Sequence, residues 1–215
     1  MVHDCHQHQQ ITHLERTLDS LLAVTLWLTS YLVGSVSTAI LVCRLLELPD
    51  PRAAGSQNPG ATNVVRLAGK TAGALTFICD VAKGIIPVYL AQSVHPSGTV
   101  AALCGLFAFL GHCYPLYFDF RGGKGVATAF GVLLMFSWQS TLIVAGLWVA
   151  VFVATRTSSL ASIISWAIAP IAIYGFASQN LNPVLILTLL IIYRHYPNLF
   201  LLAKGSENKF PEAKD

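Results

Sequence analysis

Two polar, glycine-rich segments carry the residues best suited to chemistry. The first is Gly55-Ser56-Gln57-Asn58-Pro59-Gly60-Ala61-Thr62-Asn63, closed by Arg66; the second is Arg121-Gly122-Gly123-Lys124-Gly125. Glycines let backbone N–H groups approach an anion closely, and Arg and Lys add full positive charge. In the first segment Ser56 offers a hydroxyl, Asn58 and Asn63 offer amides, and Gly60 permits a left-handed turn. A helical segment starting near Arg66 would point its free N–H groups at the loop. In the second, Lys124 reaches a phosphate as a point charge. An ordinary turn between membrane helices has no need of so many donors together. Neither segment is a Walker A loop: Gly125 follows Lys124, and Val64 stands where Gly69-Lys70-Thr71 would need its first glycine. This argues against a nucleotide hydrolase. A third constellation is Arg194-His195-Tyr196-Pro197-Asn198. His195 and Asn198 share a face if this turn is helical, and Pro197 is the residue that would make it irregular.

The elements that must hold these groups are membrane helices. Apolar residues make up 54% of the 215, and charged residues only 11%, against roughly 25% in soluble domains. Seven apolar segments are expected, at about 21–43, 71–92, 99–118, 126–138, 140–155, 159–177 and 183–196. The fourth and seventh are short for a full crossing, which suits tilted, broken or re-entrant helices. No cleavable signal is evident. The reading is one all-α integral membrane domain at 21–209, with a disordered polar tail at 1–20 and a short C-terminal tail at 210–215.

Charge sets the expected orientation. Arg44, Arg52, Arg66, Lys70, Arg121, Lys124, Arg156, Arg194, Lys204, Lys209 and Lys214 fall on one side if the segments alternate, and only Arg16 falls on the other. The positive-inside rule then places the N-terminus outside and both glycine-rich loops in the cytoplasm. The net charge of +3 therefore reads as topology, and no basic helix with interleaved aromatics suggests nucleic acid. Lys83 lies inside the second span, three residues after Asp80, where the two are expected to neutralise each other. Cys5, Cys43, Cys79, Cys104 and Cys113 form no C-x-x-C pair and read as small hydrophobes. His3, Cys5, His6, His8 and His13 have no fold to fix a metal geometry. No acidic cluster in the loops suits a Mg²⁺ ion, so neither metal nor cofactor is expected.

In order and spacing, the three constellations resemble those of the bacterial PlsY family. These are membrane glycerol-3-phosphate acyltransferases that use acyl phosphate as donor. The resemblance rests on Gly55-Ser56-x-Asn58-x-Gly60-Ala61-Thr62-Asn63-Val64-x-Arg66. It continues with Gly111-His112-x-x-Pro115, Phe120-x-Gly122-Gly123-Lys124-Gly125-Val126-Ala127-Thr128, Ser159-Leu160-Ala161-Ser162, Arg194-His195-x-x-Asn198 and Gly205-x-Glu207-x-Lys209. Departures are Gln57 where the family commonly has glycine, Arg121 where it often has lysine, and Leu201 where a basic residue is frequent.

The resemblance implies transfer of an acyl group from acyl phosphate to the 1-hydroxyl of sn-glycerol 3-phosphate, with membrane lipid as the surroundings. Catalytic candidates are Ser56, Arg66, Lys124, His195 and Asn198. Ser56, Arg66 and Lys124 would polarise phosphate, with N–H groups of Gly55, Gly60, Gly122, Gly123 and Gly125 donating to it. Asn58, Thr62 and Asn63 complete the binding candidates. Ser159, His195 and Asn198 would orient the acceptor, and a donor phosphate oxygen would take the proton. His195 as general base remains the competing reading. Two rivals are a small-anion transporter, whose polar groups belong near the midplane, and a thioester-dependent acyltransferase. The thioester enzymes often resemble a His-x-x-x-x-Asp pattern, and no histidine here has an Asp five residues on.

Overall fold

The computed structural model describes residues 2–210, with side chains from residue 15 onward. A chain this apolar must satisfy its backbone internally, which in lipid leaves helices or closed barrels. The structure takes the helical answer. The helices are α1 (Val2–Gly34), α2 (Thr38–Leu45), α3 (Ala61–Val94), α4 (Gly98–Cys113), α5 (Val126–Phe136), α6 (Trp138–Thr155), α7 (Ser158–Ala177), α8 (Leu181–Arg194) and α9 (Tyr196–Ala203). Single 3-10 turns occupy Leu116–Phe118 and Ser178–Asn180. Among the described residues there is no strand.

Helix α1 lies against α4, α3 against α4 and α5, α6 against α7, and α7 against α8. Phe109, Leu133, Trp166, Ile173, Leu187 and Ile191 fill the interior, and Phe130 meets Trp166 edge-on at 5.6 Å. Where α3 crosses α5 the backbones nearly touch. A side chain on Gly84 would strike the carbonyl of Thr128, and one on Gly131 the carbonyl of Val81. Small residues at such crossings are how membrane helices gain contact without a hydrophobic driving force. Leu142, Val153, Ile171 and Leu189 point outward, as lipid-facing residues do.

Each expected apolar segment coincides with helix, with three differences. The first, 21–43, breaks at Ser35–Ser37 into α1 and α2. Lys83 Nζ donates to the Val36 carbonyl at 2.9 Å, so an acceptor freed by the break is satisfied. The second begins at Ala61 rather than 71, and Gly69 interrupts it at φ 83°, ψ 178°, a conformation open only to glycine. Thr62, Asn63, Arg66 and Lys70 hide this first piece from a hydropathy reading. Finally, α1 reaches back to Val2 where an irregular tail was expected. No Gly or Pro occurs from residue 2 to 33 to stop it. The side chains of His3, Cys5, His6, His8 and His13 lie outside the described residues.

Among the described residues, five stretches are long and apolar enough to cross a bilayer: Glu15–Leu45, Ala61–Val94, Gly98–Phe118, Trp138–Thr155 and Ser158–Arg194. The last contains both α7 and α8. Helix α5, with 11 residues, spans only about 16 Å at ~1.5 Å per residue. Both glycine-rich loops, the α6–α7 turn and the segment after α8 meet at one end of this bundle. Thr62 contacts Ser158, Arg194 contacts Gly122 and Gly123, and Arg66 contacts Asn208.

Candidate functional site

The first loop is folded around two side chains. Arg52 binds Asp50 at 2.9 Å and reaches across to Asp119 at 3.3 Å and to the Phe118 carbonyl at 2.8 Å, tying the two glycine-rich loops together. Its hydrogen bonds hold the Asp50 carboxyl below its usual range, and those to Asp50 push the Arg52 guanidinium above its own. Asn63, fully buried, is a strut. Its Oδ1 accepts from the Ser56 N–H at 2.8 Å, and its Nδ2 donates to the Pro51 and Ala54 carbonyls at 3.0 and 2.9 Å. Asn63 thus faces its own loop, and through it Ser56 is fixed. Gln57, at the position where a glycine was noted as common, holds φ +57°.

The second loop hangs from the end of α4. Gly122 N–H donates to Cys113 O and Gly123 N–H to His112 O, both at 3.2 Å. Those two N–H groups therefore serve the loop's own fold, whereas the sequence reading gave them to phosphate. Their carbonyls take the Arg194 guanidinium at 3.1 and 2.9 Å, and Arg194 also lies over the Tyr114 ring at 5.0 Å. Gly125 turns the chain into α5 at φ +79°.

Between the loops lies a cavity of about 460 Å³. Its polar lining includes Ser56, Asn58, Arg66, Lys124, Ser159, His195, Asn198 and Glu207. The first turns of three helices also reach it: Ala61 and Thr62 of α3, Val126 and Ala127 of α5, and Ser158 and Ser159 of α7. Helix starts carry N–H groups without intrahelical acceptors and a partial positive charge. Three of them around one cavity, with Arg66 and Lys124, favour an anion there. Lys124 Nζ donates to Asn198 Oδ1 at 2.6 Å, while Asn198 Nδ2 and Ser159 Oγ donate to Glu207 Oε1 at 2.7 and 2.8 Å. Arg66 donates to the Asn208 carbonyl at 3.2 Å and lies over the Phe210 ring at 4.6 Å.

Lys124 and His195 are both displaced downward. Burial, with Arg194 and Arg66 adding to it against the pull of Glu207, brings Lys124 to about 8. Burial and the Lys124 charge bring His195 to about 4. His195 Nδ1 sits 2.8 Å from the Ile191 carbonyl. That oxygen can only accept, so Nδ1 carries the proton and Nε2 is the free acceptor.

The cavity is also walled by apolar side chains, Phe77 and Val81 of α3, Phe130 and Leu134 of α5, and Ala145, Trp148 and Val149 of α6, with Asp80 and Thr141 among them. A lining that joins cations to aromatic and aliphatic side chains fits an amphiphile better than a small ion.

The structure brings Ser56, Asn58, Gly60, Thr62, Arg66, Lys124, Gly125, Ser159, His195 and Asn198 to the cavity wall. Gly55, Asn63, Gly122 and Gly123 stand behind it. Sequence reasoning passed over Asp80, His112, Ser158, Glu207 and Asn208, which also line it. Glu207 belongs to the third motif quoted above, and His112 to the second, so each had a signal. The signal was position, since neither side chain declares a role by type. Among the described residues, no three His, Cys, Asp or Glu side chains gather as metal ligands.

Comparison with known proteins agrees with this geometry. The sequence model of a family described as "Glycerol-3-phosphate acyltransferase" matches residues 24–205. A glycerol-3-phosphate acyltransferase of Proteus mirabilis is 46% identical over 180 residues, covering 84% of this chain and 83% of that protein. One from Photorhabdus laumondii is 44% identical over 190 residues, covering 88% and 87%. The crystal structure of PlsY (YgiH), an integral membrane glycerol 3-phosphate acyltransferase, in its glycerol 3-phosphate form superimposes with a TM-score of 0.83 at 38% identity. It covers 88% of this chain and 96% of that one. The lysophosphatidic acid form of the same protein gives a TM-score of 0.81 at the same identity and covers 95% of that chain.

Proposed function

The chain belongs to the glycerol-3-phosphate acyltransferase family, and from that premise we propose that acyl phosphate is its donor and the 1-hydroxyl of sn-glycerol 3-phosphate its acceptor. The observation that carries the donor assignment is the mixed lining of the cavity, with cations and helix starts beside aromatic and aliphatic side chains. An acyl phosphate has this mixed character. Its phosphate suits Arg66, Lys124 and the α3 and α5 starts, and its chain suits the wall from Phe77 to Trp148. Ser159, His195 and Asn198 hold the acceptor.

The acceptor oxygen attacks the acyl carbon, the bond from that carbon to the phosphate oxygen breaks, and the ester forms. The hydroxyl proton passes to an oxygen of the departing phosphate, giving monoacylglycerol phosphate and inorganic phosphate. The site's part is positioning and charge stabilisation. A neutral His195 with its affinity for protons lowered to about 4 is a poor base at neutral pH, which supports the substrate's own phosphate in that role. The basic residues at the loop end of the bundle support a cytoplasmic face for the site, in a bacterial inner membrane. A transporter reading has less support, since both glycine-rich loops gather at one end of the bundle.

Purified protein in lipid is given palmitoyl phosphate with and without glycerol 3-phosphate, and palmitoyl-CoA as competing donor. Acceptor-dependent phosphate release with acyl phosphate, and no lipid product from the thioester, is expected. Product from palmitoyl-CoA alone would refute the donor assignment.

A further inference from the structure

We infer that His112, seated on the Asp80–Lys83 ion pair, is a positioning residue that sets the spacing between the two glycine-rich loops and so the separation of the two bound phosphates. The inference rests on the two-phosphate reading above and extends it to a residue that reading does not use.

His112 stands in the last turn of α4 and is 7% exposed. One edge of its ring meets α3. Nδ1 lies 3.7 Å from Asp80 Oδ1, and that oxygen is 2.9 Å from Lys83 Nζ. Lys83 is anchored in turn by the Val36 carbonyl at the α1–α2 break. The other edge lies between the loops. Nε2 and Cε1 fill the space beside the Gly123 Cα, and the Pro59 carbonyl borders the same space. The His112 backbone completes the arrangement by accepting from Gly123 N–H at 3.2 Å. One imidazole thus fills the space beside the second loop at Gly123, a space the first loop borders at Pro59, and faces the membrane-embedded body of the protein at Asp80.

Charge does not explain it. Asp80 and Lys83 cancel, and the remaining charged groups nearby, Lys124 and Arg194, belong to the phosphate end and to the loop's own carbonyls. What His112 contributes is a fixed distance. Buried His112 Nδ1 lacks a hydrogen-bond partner, and the 3.7 Å gap between it and Asp80 Oδ1 closes to a bond with a sub-ångström movement. Acyl transfer needs the reacting atoms about 3–3.5 Å apart, and a misplacement of about 1 Å costs roughly 100-fold. Each phosphate would still find its own loop without the imidazole, but the two would no longer be in register.

The signature is a split between kinetic constants. In His112→Ala, kcat is expected to fall roughly 100-fold while KM for each substrate stays within about threefold. A direct phosphate ligand would raise KM instead. Gly123→Ala, whose methyl needs the space of the ring, should show the same split. The double variant should be no worse than the poorer single one, because both changes disturb one contact. If His112→Ala does not fold, His112→Gln carries the test. It keeps bulk between the loops and gives up Asp80, and a kcat loss of about tenfold with unchanged KM is expected. The inference is overturned by a folded His112 variant with kcat within threefold of wild type, by a loss confined to KM, or by losses that multiply in the double variant. Wild-type turnover with palmitoyl phosphate is read first. Failure of the donor assignment then shows as inactive wild type, and failure of the spacing idea as an unaltered variant.

Discussion

Lys124 should give the enzyme an alkaline limit near pH 8. Burial lowers its affinity for protons from the ordinary 10.5 to about 8, with Arg194 and Arg66 helping and Glu207 opposing. A phosphate ligand must be charged. At pH 7 about nine in ten molecules carry the proton, at pH 9 about one in ten, so kcat/KM for palmitoyl phosphate should drop about tenfold by pH 9. The donor's phosphate is already dianionic through this range and does not mask the effect. Lys124→Arg stays protonated and should move the limit beyond pH 10. Glu207→Gln removes the one charge that raises the lysine and should move it below 8. The folding consequence has the opposite sign. The unfolded chain binds this proton more tightly, so stability rises as pH climbs from about 8 toward 10.5. Below pH 8 the folded protein bears a cost of about 3 kcal/mol at ~1.4 kcal/mol per tenfold. Lys124→Met should therefore unfold at a higher temperature at pH 7 while losing activity. The assay is phosphate release in lipid vesicles from pH 6 to 10, with thermal unfolding beside it. A wild-type profile flat to pH 10, or the same limit in Lys124→Arg, would refute the reasoning.

Three further outcomes are expected. His195, held near 4 by burial and the Lys124 charge, stays neutral above about pH 5, so the inflection that the substrate's own phosphate gives near pH ~6 should persist in His195→Gln; an inflection near 6.5 that vanishes in His195→Gln would make this residue the base. Asn63→Ala strands the half-buried Ser56 N–H and two carbonyls; at up to about 1–3 kcal/mol for an unsatisfied buried group, activity should be lost with a lower unfolding temperature, and unaltered stability would show that Asn63 is no strut. Gln57→Gly relieves a left-handed residue, worth about 1 kcal/mol before glycine's own entropy is set against it; a small rise in unfolding temperature is expected, and a fall would contradict the strain argument.

The sequence shows the helices because lipid demands long apolar runs, and it shows the loops because glycines and cations stand out among them. It shows less of what depends on contact between distant segments. Asn63 carries the same amide whether it faces a ligand or its own loop, and only the fold reveals that it binds Pro51 and Ala54. The same holds for Gly122 and Gly123, whose N–H groups are spent on the end of α4. Helix α3 begins ten residues early because helix formation tolerates Thr62, Asn63 and Arg66, while a hydropathy window does not. Glu207 was visible as a motif letter, yet its bonds to Ser159 and Asn198 join segments 48 and 9 residues away. Pairings of that kind follow from packing and leave no local trace.

The strap from Glu207 to Phe210 has a consequence for biosynthesis. It supplies Glu207 to Ser159 and Asn198, the Asn208 carbonyl and Phe210 ring to Arg66, and a further edge contact to Phe152 at 5.4 Å. These residues leave the ribosome after every apolar helix has been made. Chains grow at about 5–20 residues per second, so the strap follows the last helix within about a second, and until then Arg66 and Ser159 wait for their partners. A translation product halted before the strap is expected to be a membrane protein without a trade.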